Sequence, residues 1–141
     1  MAAHENFWGD IGQDDVQTPV SIMREQAALL GEKTKNLVQA RVDTRVDPYD
    51  APGQFFHSFK LVVPTLDNYT YELFEVSHRV DLYPVTTPPS PRLGVLLRFG
   101  PASEQQYELK TEEEFVNWLR QRLSSPETMK IIGNLLAQVP R

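Results

Sequence analysis

Residues 36–46 read Asn-Leu-Val-Gln-Ala-Arg-Val-Asp-Thr-Arg-Val. Val38, Ala40, Val42, Thr44 and Val46 alternate with Gln39, Arg41, Asp43 and Arg45, so an extended chain here has one apolar and one charged face. A strand with one wet face belongs to an antiparallel sheet, because parallel sheets are covered on both sides. The neighbouring segments extend this reading in both directions.

Upstream, Thr18-Pro19 pairs a capping hydroxyl with a proline at the first helical position, where its missing N–H costs nothing. Val20, Met23, Ala27 and Leu30 follow at three- and four-residue spacing, so a helix is expected over roughly 19–30, ended by Gly31. Downstream, Asp47–Gly53 is rich in turn residues, and Gln54–Val63 is apolar on both faces, as a central strand would be. Pro64 and Asp67-Asn68 close it, and Tyr69–Val76 makes a third strand that could continue through a bend to Tyr83. Pro84–Pro91 holds four prolines and reads as a stiff irregular loop, with Leu93–Phe99 and Gln106–Leu109 as the last strands. Thr111 and Glu114 stand as a capping box before Phe115, Leu119 and Leu123. Ser125-Pro126 opens a final helix to about Gln138.

The expectation is therefore an α+β fold: an N-terminal helix, about five antiparallel strands in one meandering sheet, and two C-terminal helices packed on one face. Residues 18–141 form the single domain, and residues 1–17 an acidic, loosely ordered leader. At 141 residues, with 40% hydrophobic and 23% charged, the chain has enough apolar material for one core.

Composition narrows the function. The chain has no cysteine, which removes disulfides, thiolate nucleophiles, iron–sulfur clusters and thiolate zinc sites. The net charge is −5, concentrated in the first 31 residues, where Glu5, Asp10, Asp14, Asp15 and Glu25 stand against Arg24 alone. Basic residues elsewhere are interleaved with acids, so no phosphate-binding face is expected and nucleic acid is not an expected partner. The start has no basic, apolar leader, and nowhere do about 18 apolar residues run together, so a cytoplasmic chain with no membrane partner is expected.

No Gly-x-Ser-x-Gly elbow and no glycine-rich phosphate loop is present, and the carboxylate pairs fall at caps and turns where solvent keeps them ionised. His57 and His78 lie on neighbouring expected strands and, with Glu72 or Glu75, could form a two-histidine, one-carboxylate metal site. His57 is, however, in phase with Phe55, Phe59 and Leu61, the position of a core histidine with a hydrogen-bond partner. The expectation is no catalytic residue, no metal and no cofactor.

What remains is binding. In size and charge the chain resembles bacterial secretion chaperones and toxin-neutralising immunity proteins, a likeness that carries no residue over. The first expectation is a small, acidic, non-enzymatic accessory, inhibitor or immunity-like protein that binds another protein or a second copy of itself. Phe7, Trp8 and Ile11 in the leader are its candidate contacts, since a tryptophan anchor is a common hot spot. The alternative is a small-molecule cavity between sheet and helices, with His57, Phe59, Phe74, Phe99 and Trp118 as candidate lining. Core packing accounts for the same aromatic set.

Overall fold

The computed structural model describes residues 4–12, 17–46, 53–87 and 107–140. Helix α1 spans Pro19–Lys33 and is followed by strands β1 (Gln39–Val46), β2 (Gln54–Val63), β3 (Tyr69–Arg79), β4 (Val85–Thr87) and β5 (Tyr107–Leu109). Helices α2 (Glu112–Leu123) and α3 (Pro126–Gln138) complete the chain. The sheet runs β1-β2-β3-β4-β5 with every neighbouring pair antiparallel. This is the expected α+β meander.

The helix ends are made as the residue types dictate. Thr18 Oγ1 accepts from the Ser21 N–H at 3.1 Å, and Ser125 Oγ from the Thr128 N–H at 3.2 Å. At α2 the box is complete: Thr111 Oγ1 accepts from the Glu114 N–H, and Glu114 Oε2 accepts from the Thr111 N–H, both at 3.1 Å. Gly31, by contrast, does not end α1, which continues to Lys33. Lys35 and Asn36 take the left-handed conformation instead, and the Asn36 N–H closes on the Gly31 carbonyl at 2.7 Å. Buried Gly31 lies against Asn36, 3.2 Å from where a Cβ would sit, so its small size serves packing.

Two further departures concern the strands. Val85–Thr87 is strand, although it sits inside the proline-rich stretch read as irregular; the prolines flank these three residues and leave their N–H groups free to pair. Leu93–Phe99 lies outside the described residues. Where β2 pairs with β3, the register slips between Phe59 and Lys60, so that Leu73 and Phe74 are consecutive and both buried.

One sheet face is covered by all three helices and holds the core: Val38, Phe59, Leu61, Val63, Val76 and Val85 are fully or almost fully buried against Met23, Phe115 and Leu119. The other face is charged. Asp43 accepts from Lys60 at 2.9 Å and meets Arg41 at 3.1 Å, and Glu75 accepts from Ser58 at 2.9 Å. The Arg45 guanidinium reaches Glu75 at 3.4 Å and lies 4.2 Å from the Phe56 ring centre. Lys60 is the main reason that the Asp43 carboxyl is held below its ordinary range.

Candidate functional site

The amphipathic helices spread over the helical face of the sheet and leave a gap between them. α1 packs over β1 while α2, with α3 beside it, packs toward β5, and a cleft of about 700 Å³ opens between the two groups. Phe59, Leu61 and Leu73 form its floor. Ile22, Leu29 and Leu30 of α1 make one wall; Val116, Leu119 and Leu123 of α2 with Met129 and Ile132 of α3 make the other. Leu29 and Met129 remain about half exposed, at 48% and 50%, so the apolar lining reaches the surface. Gln26, Glu32, Lys33 and Arg120 supply the polar rim.

The interior of the cleft has little free hydrogen-bonding capacity. Thr128, buried on that wall, donates its hydroxyl to the Arg122 carbonyl at 2.8 Å. Glu32, Lys33 and Arg120, its charged lining residues, lie toward solvent. Such a surface offers apolar contact inside and orienting charge at the edge, which serves recognition.

The residues singled out from the sequence fall in three places. Phe59 lines the cleft. Phe74 stacks on Phe59 at 5.3 Å between ring centres and meets the Trp118 edge at 5.1 Å, so these rings pack with one another beside the cleft. His57 lies further along β2, away from it, and Phe99 is outside the described residues.

His57 has two partners. Its Nε2 lies 2.8 Å from His78 Nε2 and its Nδ1 lies 2.9 Å from Thr44 Oγ1, while His78 Nδ1 lies 2.6 Å from the Arg79 carbonyl oxygen. A carbonyl only accepts, so His78 Nδ1 carries a proton, and its Nε2, in the neutral ring, must accept from His57 Nε2–H. His57 Nδ1 then accepts from the Thr44 hydroxyl. Burial, and then the repulsion that His78 and Arg24 would exert on a protonated ring, pushes His57 down to about 4. Glu75 belongs to the opposite face, bonded to Ser58, and Glu72 stands opposite Lys60 in the ladder, so neither completes a site with the two imidazoles. Among the described residues no three His, Asp or Glu side chains are grouped to hold a metal ion.

In the leader, Phe7, Trp8 and Ile11 are 80%, 77% and 82% exposed. The junction is anchored at Gln17, whose N–H donates to Glu112 Oε1 and whose carbonyl accepts from the Tyr83 hydroxyl, each at 3.0 Å. Burial, and then the charge of Glu112, push the Tyr83 hydroxyl up to about 12.

The cleft residues of α1 and α3 do not stand out in the sequence. Their signal is a stripe wider than a single packing contact needs: Leu29 beside Leu30, and Met129 and Ile132 beside Leu135 and Leu136. Among known proteins, the chain matches no family model, no curated protein and no solved structure. No helix among the described residues is long and apolar enough to cross a membrane.

Proposed function

We propose that this chain is a non-enzymatic binding protein whose cleft, between α1 and the α2–α3 pair, receives an apolar segment of a partner protein. The observation that carries this reading is the continuity of the apolar lining from the buried floor at Phe59 and Leu61 to the half-exposed Leu29 and Met129. Between Ile22 and Lys33 the cleft follows about 16 Å of α1, the length of three helical turns. That span accommodates anchors at positions i, i+4 and i+7 of an amphipathic helix. Glu32 and Lys33 at the end of the α1 wall and Arg120 on the α2 wall add charge at the rim for polar groups of such a segment to meet.

A second reading has its own support: a volume of about 700 Å³ also suits a compact apolar molecule. Selection of displayed amphipathic peptides on the immobilised protein separates the two. Enriched peptides with apolar residues at helical spacing, lost on Leu29→Asp with Met129→Asp, support the peptide reading. Both side chains already reach water, so the double variant keeps its fold. No enrichment, or enrichment indifferent to the double variant, overturns it.

A further inference from the structure

β1 is an end strand: among the described residues it pairs only with β2, leaving its outer edge as a row of backbone donors and acceptors. The backbone of Val38 shows which residues face that edge. Its N–H and C=O are both taken by the Thr34 hydroxyl, at 3.2 and 2.7 Å, and not by β2. Val38 immediately precedes β1, and because alternate residues of an antiparallel strand bond to the same side, continuing its phase into the strand turns the backbone groups of Ala40, Val42 and Thr44 outward.

We propose that β1 is a self-pairing edge, and that two copies of this chain join antiparallel through it about a two-fold axis at Val42. A perpendicular two-fold that keeps both helix layers on the same face places residues of like parity opposite one another. Centred on Val42, it sets Arg41 opposite Asp43 of the second copy, Asp43 opposite Arg41, and Gln39 opposite Arg45 on the charged face. On the helical face Val42 meets its own mate and Ala40 meets Thr44, while the exposed Val46 falls at the end of the ladder, beyond which Val38 of the second copy is already buried. The outward backbone groups of Ala40, Val42 and Thr44 form the ladder, and Thr34 terminates it at Val38.

Neighbouring registers are worse. Centring on Arg41 opposes two arginines; centring on Asp43 opposes two aspartates and sets Arg41 against Arg45. Centring on Thr44 restores opposite charges but keeps only residues 42–46 within the strand. Charged edge strands ordinarily resist pairing, but here the alternation of sign along Arg41, Asp43 and Arg45 converts that resistance into a preference for one register.

Charge reversal with mixing tests the proposal. Arg41→Asp and Asp43→Arg are each made in the full chain, checked for an unchanged circular dichroism spectrum, and run by light-scattering chromatography alone and as an equimolar mixture. Wild type is expected to be dimeric and each variant monomeric. Their mixture is expected to recover the dimer, because one copy then carries acids at both positions and the other carries arginines at both, so each facing pair joins opposite charges. Wild type that stays monomeric, variants that stay dimeric, or a mixture that fails to assemble overturns it. Val42→Cys gives an independent measurement in a chain with no other thiol. Air oxidation is expected to link two copies at this position but not at Thr70→Cys, an exposed position of β3, since paired Cα atoms about 5.5 Å apart lie in disulfide range. Equal linkage at both positions, or none at Val42→Cys, contradicts the register.

Discussion

Acidification from pH 7 to pH 4 is expected to destabilise the fold through His57. The side chain is 3% exposed, and its two ring nitrogens are committed, one as donor to His78 and one as acceptor from Thr44. A proton added to His57 would bury a charge in the core beside His78 and in the field of Arg24. The folded His57 therefore stays neutral to about pH 4, whereas an unfolded histidine takes its proton near the ordinary value of 6.5. Below 6.5 the unfolded chain binds a proton that the folded chain does not, so stability is present above that value and is lost as pH falls toward 4. At about 1.4 kcal/mol per pH unit, the loss approaches ~3 kcal/mol across the window. Urea denaturation at successive pH values measures it, with His57→Gln as the comparison because glutamine keeps hydrogen-bonding capacity without a titrating group. Wild type should lose up to ~3 kcal/mol more than the variant between pH 6.5 and 4. Parallel pH profiles for the two proteins would refute the assignment of a buried neutral His57.

Two further outcomes follow from local contacts. Thr111→Ala removes the acceptor for the Glu114 N–H and is expected to lower stability by about 1 kcal/mol, read from the urea midpoint at constant slope. A chain beginning at Gln17 should melt within a few degrees of the full chain, because Phe7, Trp8 and Ile11 make little contact with the domain while the Gln17 anchors to Tyr83 and Glu112 are kept; a loss of cooperative melting would make the leader part of the core.

The elements are legible where a local rule decides them. Thr18-Pro19, Thr111 with Glu114, and Ser125-Pro126 announce helix starts because the caps are satisfied by residues three positions on. The alternation in 38–46 likewise identifies β1 and its charged face. What is not legible depends on distant partners. A two-residue period cannot reveal that the slip beside Lys60 buries Leu73 as well as Phe74. Nor can it reveal that Val85–Thr87, flanked by prolines, finds ladders on both sides. The candidate site divides the same way: Phe59 stands out by its strand phase, while Leu29 and Met129 become neighbours across a cleft only after the sheet has set the separation of α1 from α3.

Site-specific photo-cross-linking in the native cell tests the cleft most directly. A photoreactive amino acid at Met129, on the cleft wall, is compared with one at Glu72, which stands opposite Lys60 on the charged face of the sheet. A partner-binding cleft predicts a discrete cross-linked protein band from Met129 that is absent from Glu72 and is lost when Leu29→Asp is added. No band from Met129, or the same bands from both positions, would contradict such a cleft between α1 and α3.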